Sequence, residues 1–238
     1  MQMSAGVGAA AAQAPDAGAD GKSSAAANTS VTLRGSTEIV TEFFGYGVNS
    51  ILFQRGIYPP ESFTRVSKYG LTMLVSKDDA LKKYLNAVLQ NVGEWLHRGD
   101  VRKLVVVISS LDSNRVLERW AFDVEMDENA RSMAAGANNN ASSGAGVSAG
   151  KSEKLIAQEI QAVIRQITSS VTFLPLLSEP CSFDLLVYTS KDLVEGADWE
   201  QSDPRLIKCA QNVRLRGFST NIHSIDTNVA YAVDDDAM

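Results

Sequence analysis

Three stretches of the chain place large apolar residues at intervals of three and four, the period of a helix with one buried face. The first follows Ser36, a residue type able to cap a helix, and carries Ile39, Val40, Phe43, Phe44, Val48, Ile51 and Leu52 before Gly56 and the pair Pro59 and Pro60 stop it. The second starts at Asp78 or Asp79, lines up Leu81, Tyr84, Leu85, Val88, Val92, Trp95 and Leu96, and ends at Gly99. The third, predicted over 152–173, turns Ile156, Ile160, Val163, Ile164, Ile167 and Val171 one way and Ala162, Arg165, Ser169, Thr172 and Phe173 the other. One apolar stripe accounts for a helix on a core. The second face, small residues around one arginine with an aromatic at its end, asks for a partner.

Between these helices the pattern changes to that of strands. The segments SFTRVSKYG and LTMLVS read as a hairpin turning at Gly70. VRKLVVVISS is continuously apolar, as a central strand is, and VLERWAFDVEM follows it after the turn LDSNR. CSFDLLVYTS alternates Phe183, Leu185 and Val187 against Asp184, Leu186 and Tyr188, so one of its faces is better buried. The predicted class is α+β, three helices packed on a mainly antiparallel sheet. The last fifth of the chain is ambiguous. VRLRGFSTNIHSI and TNVAYAV are β-like, after a polar, proline-broken stretch. A loop with an edge hairpin fits, and so does a segment able to pair with the sheet in more than one place.

Composition trims the part expected to fold. Residues 1–30 have too few large apolar groups to offset the entropy of ordering, and 129–150 share the Ala/Gly/Asn/Ser bias of a flexible insertion. What remains suits one domain with one core. No run is long and apolar enough for a membrane span, and residues 1–30 have neither a secretory nor a mitochondrial leader pattern, so nucleus and cytoplasm are the expected locations. A net charge of −6 offers no global field for nucleic acid. Cys181 and Cys209 form neither a disulfide framework nor a metal spacing, and no cofactor is expected. GYGVNS lies in a helical pattern without a preceding strand, so it is no dinucleotide fingerprint. His97 and His223 have no nucleophile motif around them. The expected activity is recognition, not catalysis.

The words VTLRGSTEIVTEFFGYGVNSILFQRGIYPPESFTRVSKYGLTMLVS, KLVVVISS, VLERWAFDVE, IQAVIRQITSSVTFLPLL, CSFDLLVYTSKDLV, DWEQSDP, VRLRGFSTNIHSI and VAYAV occur in this order. In them the chain resembles the HORMA-domain spindle assembly checkpoint proteins over residues 31–233. The resemblance implies a two-state switch, open or closed. In the closed form a mobile C-terminal "safety belt", here from about 192 to 233, moves across the sheet and encircles a partner's peptide. It implies peptide contacts at Phe183, Leu185, Tyr188, Trp199, His223 and Tyr231, and a dimerisation face of Arg165, Gln166 and Phe173 joining an open to a closed copy. It marks Leu33, on a mobile N-terminal strand, and Trp95 as positions that differ between the states. The implied partners are a coiled-coil kinetochore protein (mitotic arrest deficient protein one), the activator of the anaphase-promoting complex, other checkpoint-complex subunits, and a HORMA adaptor with its AAA+ remodelling ATPase. The implied role is to delay anaphase until kinetochores are attached, with the protein at kinetochores in mitosis. The alternative is a HORMA accessory subunit of a translesion polymerase. The chain departs from the family in its extension, its insertion and its acidic end at 234–238. Ser224 and Thr227 are expected to be exposed candidates for modification.

Overall fold

A computed structural model describes residues 31–134, 151–190, 199 and 202–233; the expectations for 1–30, for 135–150 and for 234–238 lie outside the described residues. Helix α1 spans Leu33–Gln54, β1 Phe63–Lys68, β2 Leu71–Ser76 and α2 Asp79–Arg98. Strands β3 (Val101–Ser110) and β4 (Val116–Met126) follow, then α3 (Glu128–Ala134), α4 (Glu153–Ser169), β5 (Cys181–Thr189), β6 (Ala210–Arg214), β7 (Phe218–Ser219) and β8 (His223–Ala232). The β1–β2 hairpin closes through Tyr69 and Gly70, both at positive φ, the two-residue turn whose twist matches paired strands.

The main sheet runs β5-β3-β4-β8-β6, its neighbouring strands antiparallel, with β7 also on β8. One face carries the helices. Helix α1 packs on α2, α4 and β2, and its Val40, Phe43, Phe44, Val48, Ile51 and Leu52 have no exposure. Phe43 sits edge-on to Phe122 of β4 and to Phe218 of β7 at centroid distances of 5.6 and 4.8 Å, which ties the C-terminal segment into the core. The other face has a smaller apolar patch of Val105, Val107 and Ala121, with Leu186 and Tyr188 beside it.

Five expectations change. Thr32, not Ser36, caps α1, its hydroxyl accepting from the Gly35 N–H, while Ser36 is buried inside the helix. Leu33 is the first residue of α1 rather than part of a strand; β8 already occupies the β4 edge, and the Thr32 cap starts the helix there. A fourth helix, α3, begins the stretch read as an insertion, because the Asp127 carboxylate accepts from the N–H groups of Asn129 and Ala130. The third predicted helix ends at Ser169 and tightens to a 3₁₀ turn over Ser170–Thr172, which rotates Val171 out of the buried stripe to 41% exposure. Thr227 is wholly buried, whereas Ser224 is exposed: β8 alternates, and His223, Ile225, Thr227 and Val229 take its inner face.

Candidate functional site

Strand β5 is the end of the sheet, and among the described residues no strand pairs with its outer side. Its backbone polarity follows from one bond. The Pro180 carbonyl accepts from the Leu111 N–H, so even-numbered residues of β5 turn their backbone groups to β3, and Phe183, Leu185 and Val187 turn theirs outward. The register shift in this pairing lies at the far end, between Val101 and Lys103, and leaves that parity intact. A nine-residue edge strand with Phe183, Leu185, Leu186 and Val187 in its middle invites pairing, and proteins ordinarily blunt such edges with charge, proline or a bulge. Here the outward backbone comes with apolar side chains. Phe183, Leu185 and Val187 face the helices, and Leu186 and Tyr188 the opposite side.

The C-terminal segment flanks this edge. Trp199 packs against Trp95 at the end of α2, on the helix side, with ring centroids 4.9 Å apart and planes tilted by 60°. Pro204 and Arg205 are on the other side of the sheet: the Tyr188 hydroxyl donates to the Pro204 carbonyl, and Arg205 donates to Asp184 Oδ2 at 2.8 Å and to Ser109 Oγ at 3.0 Å. Trp199 and Pro204 thus lie against opposite faces of the sheet. The chain then reaches the opposite edge, where β6 and β8 form a hairpin against β4.

Several contacts hold that hairpin. Gln166 Oε1 accepts from the Arg216 N–H at 2.7 Å, which makes a residue of the α4 surface a ligand for the C-terminal segment. Lys151 bridges Glu159 and the Ser219 hydroxyl. His223 Nδ1 and Ser36 Oγ are 2.7 Å apart, Ser36 also meets Thr220 at 2.5 Å, and His223 Nε2 lies 3.3 Å from the Leu96 carbonyl. This Ser–His pair is sealed from solvent and faces a carbonyl rather than a carboxylate, so its role is structural.

Burial holds the His223 pKa below its ordinary value, the Leu96 carbonyl opposes that shift, and the charge of nearby His97 adds to it. A depressed histidine contributes stability that is present above its unfolded pKa of 6.5 and lost as pH falls through the folded value. Lowering pH from 7.5 towards 5 is accordingly expected to reduce amide-exchange protection of β8 before that of β3, and His223→Gln to flatten the dependence. Parallel loss in both strands, or an unchanged profile in the variant, would assign the pH response to other groups.

The structure thus brings together Phe183, Leu185, Tyr188, Trp199 and Trp95. It does not bring His223 or Tyr231 to the edge. Both lie on β8, three strand spacings or about 14 Å from β5, because the hairpin pairs with β4. Arg165 and Phe173 are exposed and share the surface beyond α4 with Val171 and Leu176, the last 88% exposed; Arg165 also borders a cavity of about 260 Å³ with Phe53, Leu71 and Met73. Sequence reasoning missed Arg205 and Tyr84. Nothing in the pattern marks a loop arginine as a clasp, and the apolar stripe of α2 does not reveal that the Tyr84 ring meets Phe183 of the edge strand at 6.0 Å.

A family model described as "HORMA domain" matches residues 36–223. The mitotic spindle assembly checkpoint protein MAD2A of Dictyostelium discoideum is 54% identical over 211 residues, covering 89% of this chain and 98% of that protein. The human protein of the same name is 54% identical over 203 residues, 85% of this chain and 93% of its own length. Among solved structures, a chain in the crystal structure of the mitotic checkpoint complex superposes with a TM-score of 0.71 at 45% identity, covering 84% of this chain and 99% of that one. A Caenorhabditis elegans HTP-2 chain bound to a HIM-3 closure motif shares the fold at 13% identity, with a TM-score of 0.66 and coverage of 85% and 92%.

Proposed function

The chain belongs to the HORMA domain family and, within it, to the mitotic spindle assembly checkpoint proteins, and from that premise we propose that it captures a partner's peptide as an added strand on β5. The observation that carries this reading is the open β5 edge flanked on both faces of the sheet by one C-terminal segment. A strand added there gains main-chain hydrogen bonds to Phe183, Leu185 and Val187. The segment around it must loosen before the strand leaves, which slows dissociation. With the hairpin on the β4 edge, the arrangement is the closed one, and the opposite state requires the hairpin to leave Ser36, Gln166 and Phe43.

The mitotic checkpoint complex structure and the HORMA–closure-motif structure support checkpoint partners that present such a peptide. We assign as captured ligands a segment of the anaphase-promoting-complex activator and one of a coiled-coil kinetochore protein. A HORMA adaptor and an AAA+ ATPase reset the state. The protein acts at mitotic kinetochores and resides in nucleus and cytoplasm. Identity over nearly the whole length of the checkpoint relatives disfavours the polymerase accessory reading. Arg165 and Phe173 serve self-association, arginine and aromatics being the types that anchor interface centres.

The test adds a synthetic peptide from the activator's binding segment and follows amide exchange. Slowed exchange at Phe183, Leu185 and Val187, with the even-numbered neighbours unchanged, is the expected result. Arg165→Ala should weaken self-association at least tenfold and leave those protections in place. Equal loss of both would refute the separation of the two surfaces.

A further inference from the structure

The two anchors of the C-terminal segment differ in kind. The hairpin is paired with β4 through its backbone and packed through Phe218, whereas residues 202–207 lie outside any strand and are held to the sheet by side-chain contacts. Backbone pairing resumes at Cys209, whose carbonyl accepts from the Val233 N–H. Arg205 is the centre of this second anchor. Its Nη1 donates to Asp184 Oδ2 at 2.8 Å and its Nη2 to Ser109 Oγ at 3.0 Å, so one guanidinium ties the segment to both β5 and β3. Asp184 pairs with Val107, which sets Asp184 and Ser109 diagonally across the two strands on the face that carries Val105 and Val107. Beside them Arg119 Nη2 donates to the Tyr188 hydroxyl, which donates to the Pro204 carbonyl at 3.4 Å. The next side chain, Leu206, is 67% exposed and adds little burial.

Two further features mark Arg205. Its φ of 45° lies in the left-handed region, which residues other than Gly, Asn and Asp seldom adopt. The side chains of Arg205 and Asp184 are 30% and 47% exposed, so solvent and salt reach the ion pair. The guanidinium fork thus holds a backbone conformation that relaxes once the fork lets go.

We propose that Arg205 is a positioning residue, an ionic latch on the outer side of the open edge that releases while the hairpin stays on β4. Releasing it breaks one solvent-reached ion pair and its hydrogen bonds. Taking off the hairpin breaks the whole β4–β8 ladder and the Phe43–Phe218 contact, so the latch is the part that opens first. A strand captured on β5 has Trp199 on one flank and Arg205 on the other, and both its entry and its exit pass the latch. Arg205 touches the sheet and not the ligand. Weakening the latch therefore raises the open population, multiplies both rates by one factor and leaves the affinity as it was. The inference rests on reading the β5 edge as the capture site.

Arg205→Gln, which removes the charge and the fork, tests it on the full chain. With a fluorescein-labelled peptide of the activator's binding segment in stopped flow, association and dissociation should both quicken about fivefold with Kd unchanged. Asp184→Asn should act alike, and the double variant no more than either single one. Raising NaCl should speed dissociation from the wild type and leave that from Arg205→Gln nearly constant. Amide exchange in β8 should match the wild type in each variant. Faster dissociation with unchanged association and a weaker Kd would make Arg205 a ligand contact and overturns the latch. Unchanged rates overturn it too, as does lost β8 protection, which would make latch and hairpin one unit. Without peptide, backbone NMR relaxation should show Leu206 and Ile207 more mobile in Arg205→Gln than in the wild type. If that holds while the wild-type chain binds no peptide, the latch stands and the capture reading fails.

Discussion

Replacing Gly217 with alanine is expected to displace the C-terminal hairpin from the β4 edge, at a cost of about 3 kcal/mol. The turn from β6 to β7 passes over β8 so closely that a Cβ at 217 would lie 2.4 Å from the Ile225 carbonyl oxygen and 2.8 Å from Asp226 Oδ1. The first neighbour is backbone in a paired strand, and it cannot rotate aside as a flexible side chain does. Relief requires β6 and β7 to lift. Lifting them withdraws Phe218 from Phe43 and the Arg216 N–H from Gln166, so a single methyl group is felt at α1 and α4. Exchange protection should fall across β6–β8 while β3 and β4 keep theirs. The bound peptide should leave faster, because the segment flanking it loses its far anchor. A denaturation midpoint and β8 protection equal to the wild type would show that the turn has room to adapt.

Glu118→Ala is expected to cost about 3–5 kcal/mol, the range for stranding one half of a buried ion pair. Arg55, at the end of α1, and Glu118, on β4, have side chains only 4% and 2% exposed. Arg55 Nε donates to Glu118 Oε2 at 3.0 Å, Trp120 Nε1 donates to the same oxygen at 3.0 Å, and the second arm of the guanidinium reaches the Pro175 carbonyl. Burial raises the Glu118 pKa, and the Arg55 charge with the two hydrogen bonds opposes that rise without cancelling it. Burial thus outweighs the partners at Glu118, and removal of the pair as a whole should be cheap. Arg55→Met with Glu118→Leu should cost much less than Arg55→Met and Glu118→Leu do singly, read as the coupling term of their double-mutant cycle. Additive losses, a coupling term of zero, would mean that the two side chains do not act as a pair. The Pro175 contact gives the single variant a functional readout as well, since that loop joins the Arg165 and Phe173 surface to the start of β5.

Most of the element list was legible because it depends on local period and on end signals. Asp78 accepts from the Leu81 N–H and starts α2 as its residue type suggests, and the alternation of Phe183, Leu185 and Val187 against Leu186 and Tyr188 is the one the sheet shows. Two of the differences come from partners far away in the chain. Ser36 has the chemistry of a cap, but its hydroxyl is used by Thr220 and His223, more than 180 residues away in sequence. The resemblance implies peptide contacts at His223 and Tyr231, and strand order places both on β8, three strands from β5.

By itself, then, the sequence determined the period of each helix and strand, the buried face of each, and membership of the HORMA-domain spindle assembly checkpoint proteins. These follow from residue types at fixed spacing, which a chain carries whether or not it has folded. Tertiary structure decided which edge of the sheet stays open, which edge the C-terminal hairpin takes, and which residues meet across them: Trp199 with Trp95, Arg205 with Asp184, and Tyr84 with Phe183. The physical reason is that an unpaired strand edge and an apolar hairpin satisfy their hydrogen bonds equally well in more than one pairing, so local preference is silent. The choice falls to packing of Phe218, His223 and Gly217 against elements far away in the chain.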